Sequence, residues 1–286
     1  MKNYFKIIRA KQWLKNLIIF LPFITSSSRD FYMVSDLILI FIGFSMVASS
    51  TYVINDLIDK ESDRFHPVKK ERVVLLQNFT EKKIALLIFF LFFSGMIILN
   101  QISSLASLIS LVYTIFSLSY SLKTKFIKYL DLLSISLFFI IRLYLGGFVI
   151  NVDISPYTFL YVLFVSIGIN SSKKFSILTN GQINKSKVKN FLLKNYSEKL
   201  LLVITKVSFI GSTLIYIFWS LDYVLNNTLN FLFIGISLIL YVLFIRIFFI
   251  ETLKSTTEDF VEILFSNKET PLLLVSFFII NLFIVY

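Results

Sequence analysis

Nearly unbroken apolar runs, each about as long as a bilayer is thick, recur along this chain. Stretches such as Ile84–Met96 and Leu229–Leu243 carry almost no polar residue. A hydrocarbon core of roughly 30 Å takes about 20 apolar residues in a helix. Inside lipid every backbone N–H and C=O must be satisfied internally, which leaves helices or closed barrels. Barrel strands alternate apolar and polar residues with period two, and these runs do not. The chain is therefore predicted to be an all-α, polytopic membrane protein. Candidate spans are 15–28, 35–54, 83–99, 103–120, 130–150, 156–172, 201–220, 229–249 and 270–286. About nine such helices use up the 286 residues, so residues 1–286 are expected to form one membrane-embedded domain. The first span is the most irregular, because Pro22 and Ser26–Ser28 interrupt it.

With 57% hydrophobic and 16% charged residues, the chain is far from the roughly 25% charged of a soluble domain. A net charge of +11 invites a nucleic-acid reading, but the distribution of the charge excludes it. Lys2, Lys6, Arg9, Lys11 and Lys15 precede the first span. Further basic clusters follow the second, fourth and sixth spans, while the alternate loops hold only Arg29, Asp30, Asp153 and Asp222. This is the positive-inside pattern. It predicts a plasma (inner) membrane protein with a cytoplasmic amino terminus and Tyr286 on the far side. No cysteine is present, and His66 is the lone histidine, so thiolate and His-cluster metal sites are excluded. The basic first sixteen residues do not resemble a cleavable signal peptide. A Lys- and Asn-rich stretch, about 173–200, reads as a solvated connector that could also close over a site.

Chemistry concentrates where the second span ends, at Asn55, Asp56, Asp59 and Asp63. Residues three and four apart share a helix face, so one face would present three carboxylates and an amide. Carboxylates this close repel one another. A divalent cation would remove that cost, and all-oxygen ligands suit Mg²⁺, which completes its shell with water and phosphate. Arg64, His66, Pro67, Lys69, Lys70 and Arg72 come next. Acids that hold a metal, followed by bases that neutralise phosphate, are what a diphosphate substrate needs. For Lys70, ordinary membrane-flanking charge is the simpler reading, and His66 beside Pro67 is as well suited to shaping the loop. Arg142 is a charge within a span, which costs on the order of 3 kcal/mol on insertion scales and calls for a cavity and a partner. That partner is expected to be a substrate phosphate, or else an interior acid.

The segment Tyr52–Arg72, YVINDLIDKESDRFHPVKKER, resembles the first Asp-rich motif of the UbiA superfamily of membrane prenyltransferases. Its DRxHPxKxxR extension looks most like the polyprenyl-phosphate (decaprenyl-phosphate) phosphoribosyltransferase branch. RAKQWLKNLIIFLPF (Arg9–Phe23) is similar to that branch's amino-terminal pattern. YSLKTKFIKYLD (Tyr120–Asp131), with Arg142 and Gly146–Gly147 beyond it, looks like its second motif, and Lys173–Lys174 and Glu258–Asp259 also fit. The second motif lacks the Asp-x-x-x-Asp of prenyl-diphosphate users, since Asp131 is its one acid.

The resemblance implies Mg²⁺-dependent transfer of 5-phosphoribose from phosphoribosyl diphosphate to a polyprenyl phosphate. It places Asn55, Asp56, Asp59 and Asp63 on the metal. Lys15, Arg64, Lys69, Arg72, Arg142 and Lys173 would be on substrate, with Tyr120 and Lys125 completing the site. One rival keeps the fold and moves a prenyl group from prenyl diphosphate to a small acceptor. Another, a cation or lipid transporter, would want acids near the bilayer midplane.

Overall fold

A computed structural model describes residues 2–26, 32–64, 70–179, 187–226, 231–254 and 260–285. In chain order the elements are α1 (Lys2–Ile7), a 3-10 helix (Ala10–Phe20), α2 (Leu21–Thr25), α3 (Tyr32–Ile58), α4 (Lys60–Asp63) and α5 (Lys70–Gln77). They continue with α6 (Glu81–Ile102), α7 (Ser104–Leu122), a second 3-10 turn (Thr124–Phe126), α8 (Leu130–Val149) and α9 (Pro156–Thr179). The last are α10 (Lys187–Asn195), α11 (Glu198–Asn226), α12 (Phe231–Lys254), α13 (Phe260–Leu264) and α14 (Glu269–Val285). No strand occurs among the described residues, as the unbroken apolar runs require.

Six helices, α3, α6, α7, α8, α11 and α12, are long and apolar enough to cross a membrane. The remaining three candidates differ from expectation for separate reasons. The apolar part of α14 is shorter, Glu269–Ile284. Helix α9 has the length, 24 residues, but it carries buried Ser166, Asn170, Ser171, Ser172 and Lys174, which lower its hydropathy. The first span begins earlier than 15 and is not α-helical: residues 10–20 are wound as a 3-10 helix. At about 2.0 Å of rise per residue, with about 1.5 Å per residue in the short α2, Ala10–Thr25 still extends roughly 30 Å. Nor does the connector begin at 173. Helix α9 continues to Thr179 because its lysines turn inward, and α10 forms within the remainder.

Neighbouring helices close a ring. Helix α3 packs on α6 and α7, α7 on α8, α8 on α9, and α9 on α11 and α12; α12 packs on α14, which returns through α2 to α8. Small residues allow the close crossings. A Cβ on Gly95 would stand 2.6 Å from the carbonyl oxygen of Gly43, so α3 and α6 touch backbone to backbone there. The amino-terminal 3-10 helix lies against α3 and α8. Three residues per turn align Trp13, Asn16 and Ile19 on one edge. Trp13 Nε1 donates to Ser49 Oγ (2.9 Å), Asn16 Nδ2 donates to Ser45 Oγ (2.8 Å), and Ile19 is fully buried. A Cβ on Gly146 would be 2.8 Å from the Ile19 carbonyl carbon and nearer still to its oxygen. Glycine at 146 is what lets the segment seat.

Candidate functional site

The acids stand where α3 runs out. The helix stops at Ile58, and Asp59 caps the short α4 with φ −88°, ψ 1°. The one-over-four ladder nevertheless continues, with Asp59 N–H donating to the Asn55 carbonyl and Asp63 N–H to that of Asp59, each at 2.9 Å. The predicted spacing therefore survives, but the predicted gathering of carboxylates does not. Asp56, only 5% exposed, is held by Arg9, whose Nε donates to Oδ2 at 3.0 Å and whose Nη2 donates to Oδ1. Asp59 Oδ1 takes Lys125 Nζ at 2.5 Å. No group of three or more acids or histidines able to hold a metal forms among the described residues. Repulsion between Asp56 and Asp59 is offset by two bases from other segments. Asp63 ends α4, half-buried.

The following basic run is described only in part. Arg64 is exposed and lies 3.9 Å from Glu61. Lys69, with His66 and Pro67, falls outside the described residues, and Arg72 sits in α5.

Other expected residues do converge. Lys15, Asn55, Tyr120, Arg142 and Lys173 line one cavity of about 190 Å³, together with Arg9. No acid is among the described residues lining it. Lys15, Phe139 and Ile169 are shared with a second, apolar chamber of about 440 Å³, which extends between the 3-10 helix, α9, α11, α12 and α14. A charged compartment thus abuts a greasy one, with an ammonium group at the boundary.

Arg142 is 3% exposed, and its guanidinium is satisfied by neutral groups. Nε donates to Asn16 Oδ1 (2.7 Å), Nη1 to the Phe138 carbonyl (2.6 Å), and Nη2 to the phenol oxygens of Tyr113 (3.2 Å) and Tyr52 (3.4 Å). The Phe44 and Tyr113 rings flank it at 5.3 and 5.0 Å. The interior acid considered as a partner is absent among the described residues; the charge is held by dipoles and ring faces.

Asp131, the one acid of the second motif, is not among the residues lining the cavity. It is fully buried, taking Lys174 Nζ on Oδ2 at 2.5 Å and the Tyr196 hydroxyl on Oδ1 at 2.6 Å. Tyr196 in turn accepts the Tyr129 N–H at 2.7 Å. Tyr129 adopts φ 67°, closing the turn that carries Lys125. Burial, and then the bond to Asp131, push the Tyr196 phenol up from its ordinary value. Consecutive residues on a helix point about 100° apart, which is how Lys173 lines the cavity while Lys174 serves this triad. Four of these residues, Arg9, Asn16, Lys174 and Tyr196, were not expected at the site by sequence reasoning. Arg9, Asn16 and Lys174 lie inside stretches already marked by the motif patterns.

The model of the UbiA prenyltransferase family matches residues 16–267. The chain belongs to the UbiA prenyltransferase family. It is accordingly a membrane transferase. Decaprenyl-phosphate phosphoribosyltransferase of Mycolicibacterium smegmatis is 26% identical over 220 residues, 75% of this chain and 69% of that protein. An uncharacterized protein of Sinorhizobium fredii is 28% identical over 60% of the chain, which spans only 34% of that relative's length. Among solved structures, a UbiA homolog from Archaeoglobus fulgidus bound to DMAPP and Mg²⁺ superposes with a TM-score of 0.67 at 15% identity, covering 99% of this chain and 96% of the other. That likeness establishes the UbiA fold for the ring of helices.

Proposed function

We propose that this UbiA member transfers 5-phosphoribose from phosphoribosyl diphosphate to a polyprenyl phosphate at the cytoplasmic membrane face. The observation that carries the reading is the junction of the two cavities. Lys15 stands between a compartment lined by Arg9, Arg142 and Lys173 and a chamber lined mainly by aliphatic and aromatic side chains. A lipid tail in the chamber would bring its head to that boundary, and a head that meets buried guanidinium and ammonium groups is favoured if it is an anion.

Mg²⁺ fits the donor chemistry of Asn55, Asp56, Asp59 and Asp63, all hard oxygen, although Asp56 and Asp59 now hold bases. When bound, the metal would supply charge neutralisation for a departing diphosphate. The protein's own groups do the rest. Lys125, Tyr120, Lys173 and Arg9, with Arg64, Lys69 and Arg72 as further candidates, bind and align phosphates. Arg142, fixed by Asn16, Tyr52 and Tyr113, and Lys15 orient the acceptor head. The bond from ribose C1 to the diphosphate oxygen breaks, and a lipid phosphate oxygen forms the new bond to C1. The nucleophile is already charged, so no proton acceptor is required; alignment and charge placement carry the rate.

Membranes containing the protein are incubated with labelled phosphoribosyl diphosphate, Mg²⁺ and polyprenyl phosphate. Label should enter the lipid fraction, and Asp59→Asn should abolish this while the protein stays in the membrane. Incorporation only from a labelled prenyl diphosphate would reject the phosphoribosyl reading.

A further inference from the structure

Asp56 and Asp59 are neutralised from outside their own helix. Arg9 comes from the turn that opens the amino-terminal 3-10 helix and has a left-handed backbone, φ 51°, ψ 47°. Lys125 comes from the turn between α7 and α8. The Arg9 contact is two-pronged, through Nε and Nη2. A guanidinium grips a phosphate with the same fork geometry. Arg9 also borders the polar cavity, in company with Lys15, Arg142 and Lys173. Both bases therefore already contact the acid they neutralise, and Arg9 also stands at the compartment assigned to phosphate.

We infer that the two ion pairs are exchanged on substrate binding, which makes Arg9 a diphosphate-binding residue. Diphosphate oxygens take over Arg9 and Lys125, and the carboxylates so released pass to the metal that accompanies the diphosphate. This rests on the proposed assignment of Asp56 and Asp59 to a metal. Metal alone must break an ion pair to reach its acid, and diphosphate alone must break one to reach its base. Each ligand therefore prepares the place of the other, and by linkage the coupling is reciprocal.

The test uses the full chain in detergent micelles, with calorimetric titration of Mg²⁺ alone, inorganic diphosphate alone, and each in the presence of the other. In the wild type each should raise the affinity of the other by about tenfold or more. Arg9→Gln frees Asp56, so it should bind Mg²⁺ alone several-fold more tightly than wild type, while losing about tenfold in diphosphate affinity with Mg²⁺ present. Lys125→Gln should do the same through Asp59, and it serves as the test if Arg9→Gln fails to elute as a folded species. Unchanged or weaker binding of Mg²⁺ alone in both variants, with wild-type coupling retained, would overturn the exchange while leaving the metal assignment standing. Absence of any Mg²⁺-dependent diphosphate binding in the wild type would overturn both.

Discussion

Gly146→Ala is the smallest change that tests how the amino-terminal 3-10 helix sets the site. The new Cβ would lie 2.8 Å from the Ile19 carbonyl carbon and closer to its oxygen. Carbon atoms in contact sit at about 3.5 Å or more, so the backbones must separate by about 0.7 Å at the least. No rotamer relieves a clash against a main chain, and overpacking of this kind costs about 1–3 kcal/mol. For a chain of this size that corresponds to a thermal midpoint lower by roughly 3–10 °C. Activity should fall further than stability. Asn16, on the same edge of the segment, holds Arg142, and Lys15 stands at the cavity junction. A displacement approaching 1 Å at such groups costs on the order of 10²-fold in rate. Gly235→Ala is the matched control, because nothing lies within 4 Å of a Cβ there. Midpoints are read by dye-free thermal unfolding in micelles, and transfer by labelled lipid. A Gly146→Ala protein with the midpoint and rate of Gly235→Ala would refute the seating argument.

Arg142→Lys keeps the charge but not the fork that reaches Asn16, Phe138, Tyr113 and Tyr52. Stranded acceptors cost about 1–3 kcal/mol, so transfer should drop at least about tenfold, with the KM for lipid acceptor affected more than that for the diphosphate donor; equal kinetics would remove Arg142 from the site. Tyr196→Phe removes the hydroxyl shared by Asp131 and Tyr129. It should cost about 1–3 kcal/mol and hasten proteolysis around Lys123–Leu130. The Tyr196 phenol titrates above its ordinary 10.0, so between these values the unfolded chain has released a proton that the folded chain keeps. Its contribution to stability is complete below pH 10.0 and shrinks as the pH rises. The alkaline fall in thermal midpoint should therefore be shallower in Tyr196→Phe than in wild type, and parallel curves would contradict this.

What could be read from the sequence depended on whether the signal was local. The all-α membrane class follows from apolar run length alone, and the ends of α11, α12 and α14 fall near the predicted spans. The first span was misplaced because a 3-10 helix covers more distance per residue than an α-helix, so residues 10–25 reach as far as about twenty α-helical residues would. The inward turn of Lys174 onto Asp131 was hidden because a polar run after a span looks the same whether it faces water or a buried acid. The clustering of Lys15, Asn55, Tyr120, Arg142 and Lys173 was reached through motif resemblance, since residues separated by more than a hundred positions have no local signature. The metal-ligand geometry was drawn as a property of one helix. Arg9 and Lys125, arriving from elsewhere, decide where those carboxylates point.

The charges divide the polar compartment into two unlike ends. At the α3 end the carboxylates of Asp56 and Asp59 each pair with a base from another segment, and in the proposed reading these charges are redistributed over a metal and its phosphates. At the inner end, toward the apolar chamber, Arg142 is held only by neutral groups. A buried guanidinium is expensive to maintain in low dielectric unless an anion visits it. Asp131, the one acid of the second motif, is already spent on Lys174 and Tyr196. In the proposed reading that anion comes with a substrate whose remainder fits an apolar chamber, and a phosphorylated isoprenoid has both parts. A neutral aromatic acceptor would leave Arg142 with no electrostatic reason to be there. In the proposed reading this asymmetry bears on the acceptor more than the acids do, because the acids would serve any diphosphate donor alike.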